Sequence, residues 1–107
     1  MTPQFTSNQN KGFTMTFQNG LTISVQFGTM NYCSRKSIHA SYRSEMHQDT
    51  VQSRTAEIAI WDETDTWFDF GYDTVEGHCD TNEVARWIGI VSNAENMKHL
   101  QTIVGKK

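Results

Sequence analysis

Nine carboxylates stand between Thr55 and Ala85: Glu57, Asp62, Glu63, Asp65, Asp69, Asp73, Glu76, Asp80 and Glu83. No lysine or arginine falls among them, but five aromatics do: Trp61, Trp67, Phe68, Phe70 and Tyr72. The remaining acids, Glu45, Asp49 and Glu95, lie elsewhere among the nine basic residues, so a net charge of −3 hides a divided chain. Such a stretch suits three chemistries. It could dock a basic protein surface, imitate a phosphate backbone in the groove of a nucleic-acid enzyme, or hold Ca²⁺ or Mg²⁺ through oxygen ligands. Asp62-x-x-Asp65 lacks the glycine and the spacing of an EF-hand loop, which disfavours the metal. A solvated acidic border that keeps a sheet from aggregating is the plainer alternative.

Other reactive groups make thinner constellations. Cys33, Cys79, His39, His47 and His78 are zinc-ligand types. No C-x₂-C pair exists, however, and His78 and Cys79 would point apart on a strand. Cys33 with a histidine has the ingredients of a thiol hydrolase but no surrounding signature. There is no glycine-rich phosphate loop, no H-E-x-x-H and no G-x-S-x-G. The expectation is no catalytic residue, no metal and no cofactor. A second cluster, Arg35, Lys36 and Arg43, with Arg54 beyond, suits the phosphates of a nucleotide-like ligand. It would equally serve to neutralise the acidic stretch within the molecule.

These groups need a scaffold, and 107 residues make one domain. The chain is polar, with a mean hydropathy of −0.59, but its 11% aromatic content supplies burial that disordered chains lack. A pI near 5.7 disfavours direct binding to nucleic acid or an anionic membrane. No apolar run approaches the roughly 18–20 residues of a membrane span, and the first residues show no signal-peptide pattern. A cytosolic protein with reduced thiols is expected, with a Cys33–Cys79 bridge left open.

Residues 1–11 are polar and read as a flexible arm, and residues 12–107 as the domain. Phe13, Met15 and Phe17 alternate with polar residues, as do Leu21, Ile23, Val25 and Phe27, which predicts a hairpin. A two-residue Asn19-Gly20 loop would set polar against apolar across the strands. A three-residue loop, Gln18 to Gly20, pairs Phe17 with Leu21, Met15 with Ile23 and Phe13 with Val25, with Gly20 left-handed. Residues 28–54 lack clean periodicity, apart from a short strand expected at Ser37 to Tyr42. A second hairpin is expected from Ala56–Trp61 and Trp67–Tyr72. Its Asp62–Thr66 loop would pair Trp61 with Trp67, Ile60 with Phe68, Ile58 with Phe70 and Ala56 with Tyr72. Ala56, Ile58, Ile60, Phe68, Phe70 and Tyr72 would face the core. Trp61, Trp67 and Asp69 would face outward. Asp80-Thr81-Asn82-Glu83 reads as a capping box opening a helix, with Val84, Trp87, Ile88 and Val91 at helical spacing. Met97, Leu100 and Val104 extend the stripe, as one helix or as two. The fold class is α+β: an antiparallel sheet of two hairpins joined by a long connection, covered on one face by one or two C-terminal helices.

The stretch GFTMTFQNGLTISVQFGTMNYCSRKS, Gly12 to Ser37, resembles the start of small uncharacterised proteins of tailed bacteriophages. The AEIAIWD and DTNEVARWI segments are compatible with their second halves. The resemblance implies a phage accessory protein made in the host bacterial cytoplasm, of a kind that inhibits host defence proteins or enzymes by binding. It carries no functional residue with it. The expectation is therefore a non-enzymatic protein that occludes the basic surface of a host protein through Trp61, Asp62, Glu63, Asp65, Trp67 and Asp69. The alternatives are a sponge for a nucleotide-like small molecule, held by Arg35, Lys36 and Arg43, and a virion structural or assembly protein. Neither a membrane nor direct nucleic-acid binding is expected, and self-association stays open.

Overall fold

The computed structural model describes residues 2–9, 11–35 and 50–104. Among them, five strands form one antiparallel sheet in chain order. They are β1 (Gln4–Ser7), β2 (Gly12–Thr16), β3 (Thr22–Gln26), β4 (Ala56–Trp61) and β5 (Val75–Cys79). Two helices follow, α1 (Thr81–Asn93) and α2 (Met97–Val104). The α+β class and the helical cover are as expected from the pattern.

The β2–β3 hairpin has the register that the alternation demands. Phe13 pairs with Val25 and Met15 with Ile23. The Phe17 amide donates to the Leu21 carbonyl at 2.9 Å, and Gly20 takes φ +87°. The three-residue loop puts every apolar residue of both strands on one face. A one-residue slip would turn Ile23 and Val25 away from the core face, whereas in this register Thr22 and Ser24 lie buried on the opposite face of the sheet.

Two parts of the sheet differ from the sequence expectation. First, Gln4–Ser7 lies within the segment read as an arm, yet it pairs with β2, Phe5 against Met15 and Thr6 against Thr14. All four of its residues stay exposed, so no burial pattern announced it. Second, Trp67–Tyr72 is not a strand beyond a single bridge between Trp61 and Trp67. β4 pairs on one side with β3, Ile23 opposite Ile60, and on the other with β5, Ala59 opposite Val75, Ile58 opposite Glu76 and Ala56 opposite Cys79 across a bulge. His78, at φ +54°, lies in that irregular stretch. The expected pairs Ile58–Phe70 and Ala56–Tyr72 are therefore replaced, and Tyr72 is 73% exposed rather than core.

Phe68 and Phe70 are nonetheless buried. They meet each other edge to face at 4.8 Å between ring centroids, and Trp87 of α1 at 5.8 and 5.1 Å. Burying this aromatic cluster and the aliphatic side chains of Leu21, Ile23, Ile58, Ile60, Val91 and Leu100 stabilises the domain by about 1.5–3 kcal/mol each. Helix α1 opens on the predicted capping box. The Glu83 amide donates to the Asp80 carboxylate at 2.8 Å, and the Asp80 amide to the Glu83 carboxylate at 2.9 Å. The chain turns extended at Ala94 and restarts under Asn96, whose side chain accepts from the His99 amide at 2.8 Å, so the stripe is two helices.

Candidate functional site: the tryptophan pair and its acidic turn

At the end of β4 the chain reverses through Asp62–Thr66. One carboxylate oxygen of Asp62 accepts three hydrogen bonds: from the Thr64 amide (2.9 Å), the Thr64 hydroxyl (2.7 Å) and the Thr66 amide (2.9 Å). The Asp62 amide donates to the Thr66 carbonyl, and the Asp65 amide to the Asp62 carbonyl, both at 3.0 Å. Asp65 takes the left-handed conformation, φ +61°, that aspartate tolerates better than most residues. Burial would raise the Asp62 carboxyl, but the Thr64 hydroxyl and the Thr66 and Thr64 amides outweigh it and hold it below its ordinary value. The turn is thus built around an ionised carboxylate. Asp62 with threonines two and four residues on is the Asx-turn pattern, and it lies in the sequence itself.

Past the turn, Trp67 lies opposite Trp61, and the Phe68 amide donates to the Ile60 carbonyl at 2.8 Å. The two indoles stack with centroids 5.0 Å apart and planes at 29°. Trp61 is half-buried and Trp67 is 44% exposed. Both stand at the end of a cross-strand row on the face away from the helices, Thr16–Thr22–Trp61. Thr16 and Thr22 join their hydroxyls at 2.9 Å along it.

Five of the six expected contact residues, Trp61, Asp62, Glu63, Asp65 and Trp67, therefore share one turn. Glu63 leans over the β2–β3 loop: a Cβ on Gly20 would sit 2.5 Å from its Oε2. Asp69 is placed differently, because the chain leaves β4 after Phe68. Its amide donates to Gln101 of α2 at 2.9 Å, and its carboxylate accepts from the Gly71 amide at 2.7 Å. Gln101, which anchors this departure, carried no sequence signal. Among the described residues, none of Asp62, Glu63, Asp65 and Asp69 has a cationic partner.

The basic cluster lies elsewhere. Arg35 is buried, and its guanidinium donates to the Phe27 carbonyl at 3.3 Å. Phe27 follows Gln26, which pairs with Glu57, so Arg35 belongs to the opposite end of the sheet. Glu57 and Trp61 are about 13 Å apart along the strand, so Arg35 does not neutralise the acidic turn. Lys36, Arg43 and the short strand expected at Ser37 to Tyr42 lie outside the described residues.

The thiols are free and buried. Burial, with Glu76, Glu83 and Asp80 adding to it against Arg86, pushes the Cys79 thiol up to about 11. A thiol held so far above neutrality is a poor nucleophile and a poor metal ligand. Cys33 donates to the Gly28 carbonyl at 3.4 Å. Among the described residues no group of three or more His, Cys, Asp or Glu side chains is placed to hold a metal, and no helix is long and apolar enough to cross a membrane. No protein-family model, no curated protein and no solved structure matches the chain.

Proposed function

We propose that this is a small non-enzymatic binding protein that occludes a basic surface on a protein partner through the Trp61–Trp67 pair and the Asp62–Thr66 turn. The observation that carries the reading is the half-exposed Trp67 ring, held on Trp61 beside carboxylates that have no cationic partner among the described residues. Tryptophan is the side chain most enriched at binding hot spots. The Asp62 hydrogen bonds hold the turn in one shape before any partner arrives, which lowers the ordering cost of association. The carboxylates of the turn add attraction at a distance and speed encounter at low salt. The resemblance to tailed-phage proteins supports a host target, such as a defence protein or enzyme met in the bacterial cytoplasm.

Affinity capture from bacterial lysate tests this, with wild type, Trp67→Ala and the double variant Trp61→Ala/Trp67→Ala compared at low and high salt. Wild type should retain a specific protein that Trp67→Ala holds at least about thirtyfold more weakly, a loss of roughly 2 kcal/mol. High salt should weaken retention as well. Identical capture by wild type and the folded double variant, or capture that grows with salt, would sink the proposal.

A further inference from the structure

The sheet has a second feature at the end remote from the tryptophans. Helix α1 presents two apolar stripes. Trp87 and Val91 are buried in the core, whereas Val84 and Ile88, four residues apart on one face, are only partly covered. Beneath Val84 and Ile88 a cleft of about 310 Å³ opens between α1 and the sheet, walled by Phe13, Val25 and Phe27. Its volume lies at the lower end of the range for small-molecule pockets and admits roughly ten water-sized groups. Among its described lining residues the single charged side chain is Arg54.

Arg54 is exposed and makes no hydrogen bond or ion pair among the described residues. Ser53, Thr55 and Thr81 belong to the same wall, the Ser53 hydroxyl donating to the Thr55 carbonyl at 2.7 Å and the Thr55 hydroxyl bonded to Ser34. A second cavity, of about 540 Å³, shares Phe27, Ser53 and Arg54 with the first and adds Arg35. No described acid lines either cavity. In a chain of net charge −3, two adjoining cavities whose described charges are both arginine select for an anion. The apolar cleft selects for a hydrocarbon tail or ring attached to it.

We infer that this cleft is a binding site for a small amphiphilic anion, with its apolar part between α1 and the sheet and its carboxylate or phosphate on Arg54. A guanidinium meets either head group through paired N–H donors. Phe13, Phe27, Val84 and Ile88 are half-exposed until such a tail covers them. The site is independent of Trp67 and stands whether or not the tryptophan turn binds a protein.

The test uses the full chain with decanoate and with decyl phosphate, followed by thermal unfolding and calorimetric titration. Decyltrimethylammonium supplies the same tail with the opposite charge, and acetate and inorganic phosphate supply the head groups without a tail. Either decyl anion should raise the melting temperature with concentration, while the cation, acetate and inorganic phosphate should not. The tighter of the two anions identifies the head group. Arg54→Gln, at an exposed position, should leave the fold intact and weaken binding tenfold or more. Val84→Phe, which fills the cleft, should weaken it as well with an unchanged circular dichroism spectrum. Equal stabilisation by the cation, an unchanged Kd in Arg54→Gln, or no binding of either anion would overturn the inference.

Discussion

The side-chain amide of Asn19, in the β2–β3 turn, donates to the main-chain carbonyl of Val91 in α1 at 2.8 Å. The same nitrogen donates to the Ala94 carbonyl at 2.7 Å, and the Asn19 oxygen accepts from the Leu21 amide at 3.0 Å. One residue thus shapes the hairpin loop and caps the end of α1, where the last turn contains no basic side chain. Asn19→Ala should destabilise the domain by about 1–3 kcal/mol, because it removes three partly buried bonds and leaves the Val91 carbonyl with the Ala94 amide alone, at 3.3 Å. Asn19→Asp should cost more, since a carboxylate would face those carbonyls as an acceptor. Urea unfolding reads both as a lower midpoint with an unchanged slope.

Acid should loosen the tryptophan turn. The Asp62 carboxyl is held below its ordinary value of 3.8 by bonds that need its charged form. A depressed folded value means that the contribution is fully present above the unfolded value. It is then lost as pH falls through the folded one. The indole stack, followed by circular dichroism or Trp67 fluorescence, should hold from neutrality down to about pH 5. It should begin to change only below about pH 4. Asp62→Asn should be looser at neutral pH and lose this acid transition.

Phe68 and Tyr72 separate two descriptions of the same segment. If Trp67–Tyr72 were a strand, both side chains would be core. In the fold, Phe68 is 1% exposed and Tyr72 is 73% exposed. Phe68→Ala should destabilise by about 3–5 kcal/mol through cavity formation, and Tyr72→Ala by less than about 0.5 kcal/mol. Chemical denaturation of the two variants is sufficient, and similar losses would favour the strand.

Cys79 should resist alkylation. Its thiol is buried and pushed up to about 11, so almost no thiolate exists at neutral pH. Iodoacetamide at pH 7.5 should leave Cys79 unmodified in the folded protein, as read by peptide mass mapping, and should label it readily in urea. Rapid labelling under native conditions would contradict the burial described here.

The local pattern alone determined the β2–β3 hairpin, its three-residue loop and the capping box of α1. In each case one arrangement puts the apolar residues on a single face or satisfies the terminal amides. The pairing of Trp61 with Trp67 and of Ile60 with Phe68 was legible for the same reason, and with it most of the candidate contact turn. Pattern could not say how far the ladder runs. Alternation from Trp67 to Tyr72 reads as a strand, but a loop that drops Phe68 and Phe70 onto Trp87 and ties Asp69 to Gln101 satisfies the same alternation. The strand that takes this place beside β4, Val75–Cys79, contains Gly77 and a bulge and has almost no apolar rhythm, and β1 buries nothing at all. Those strands, the reach of Asn19 to a helix 72 residues away and the cleft under Val84 and Ile88 depend on contacts between distant segments. Their energies are shared across the tertiary fold, and no single stretch of sequence contains both partners.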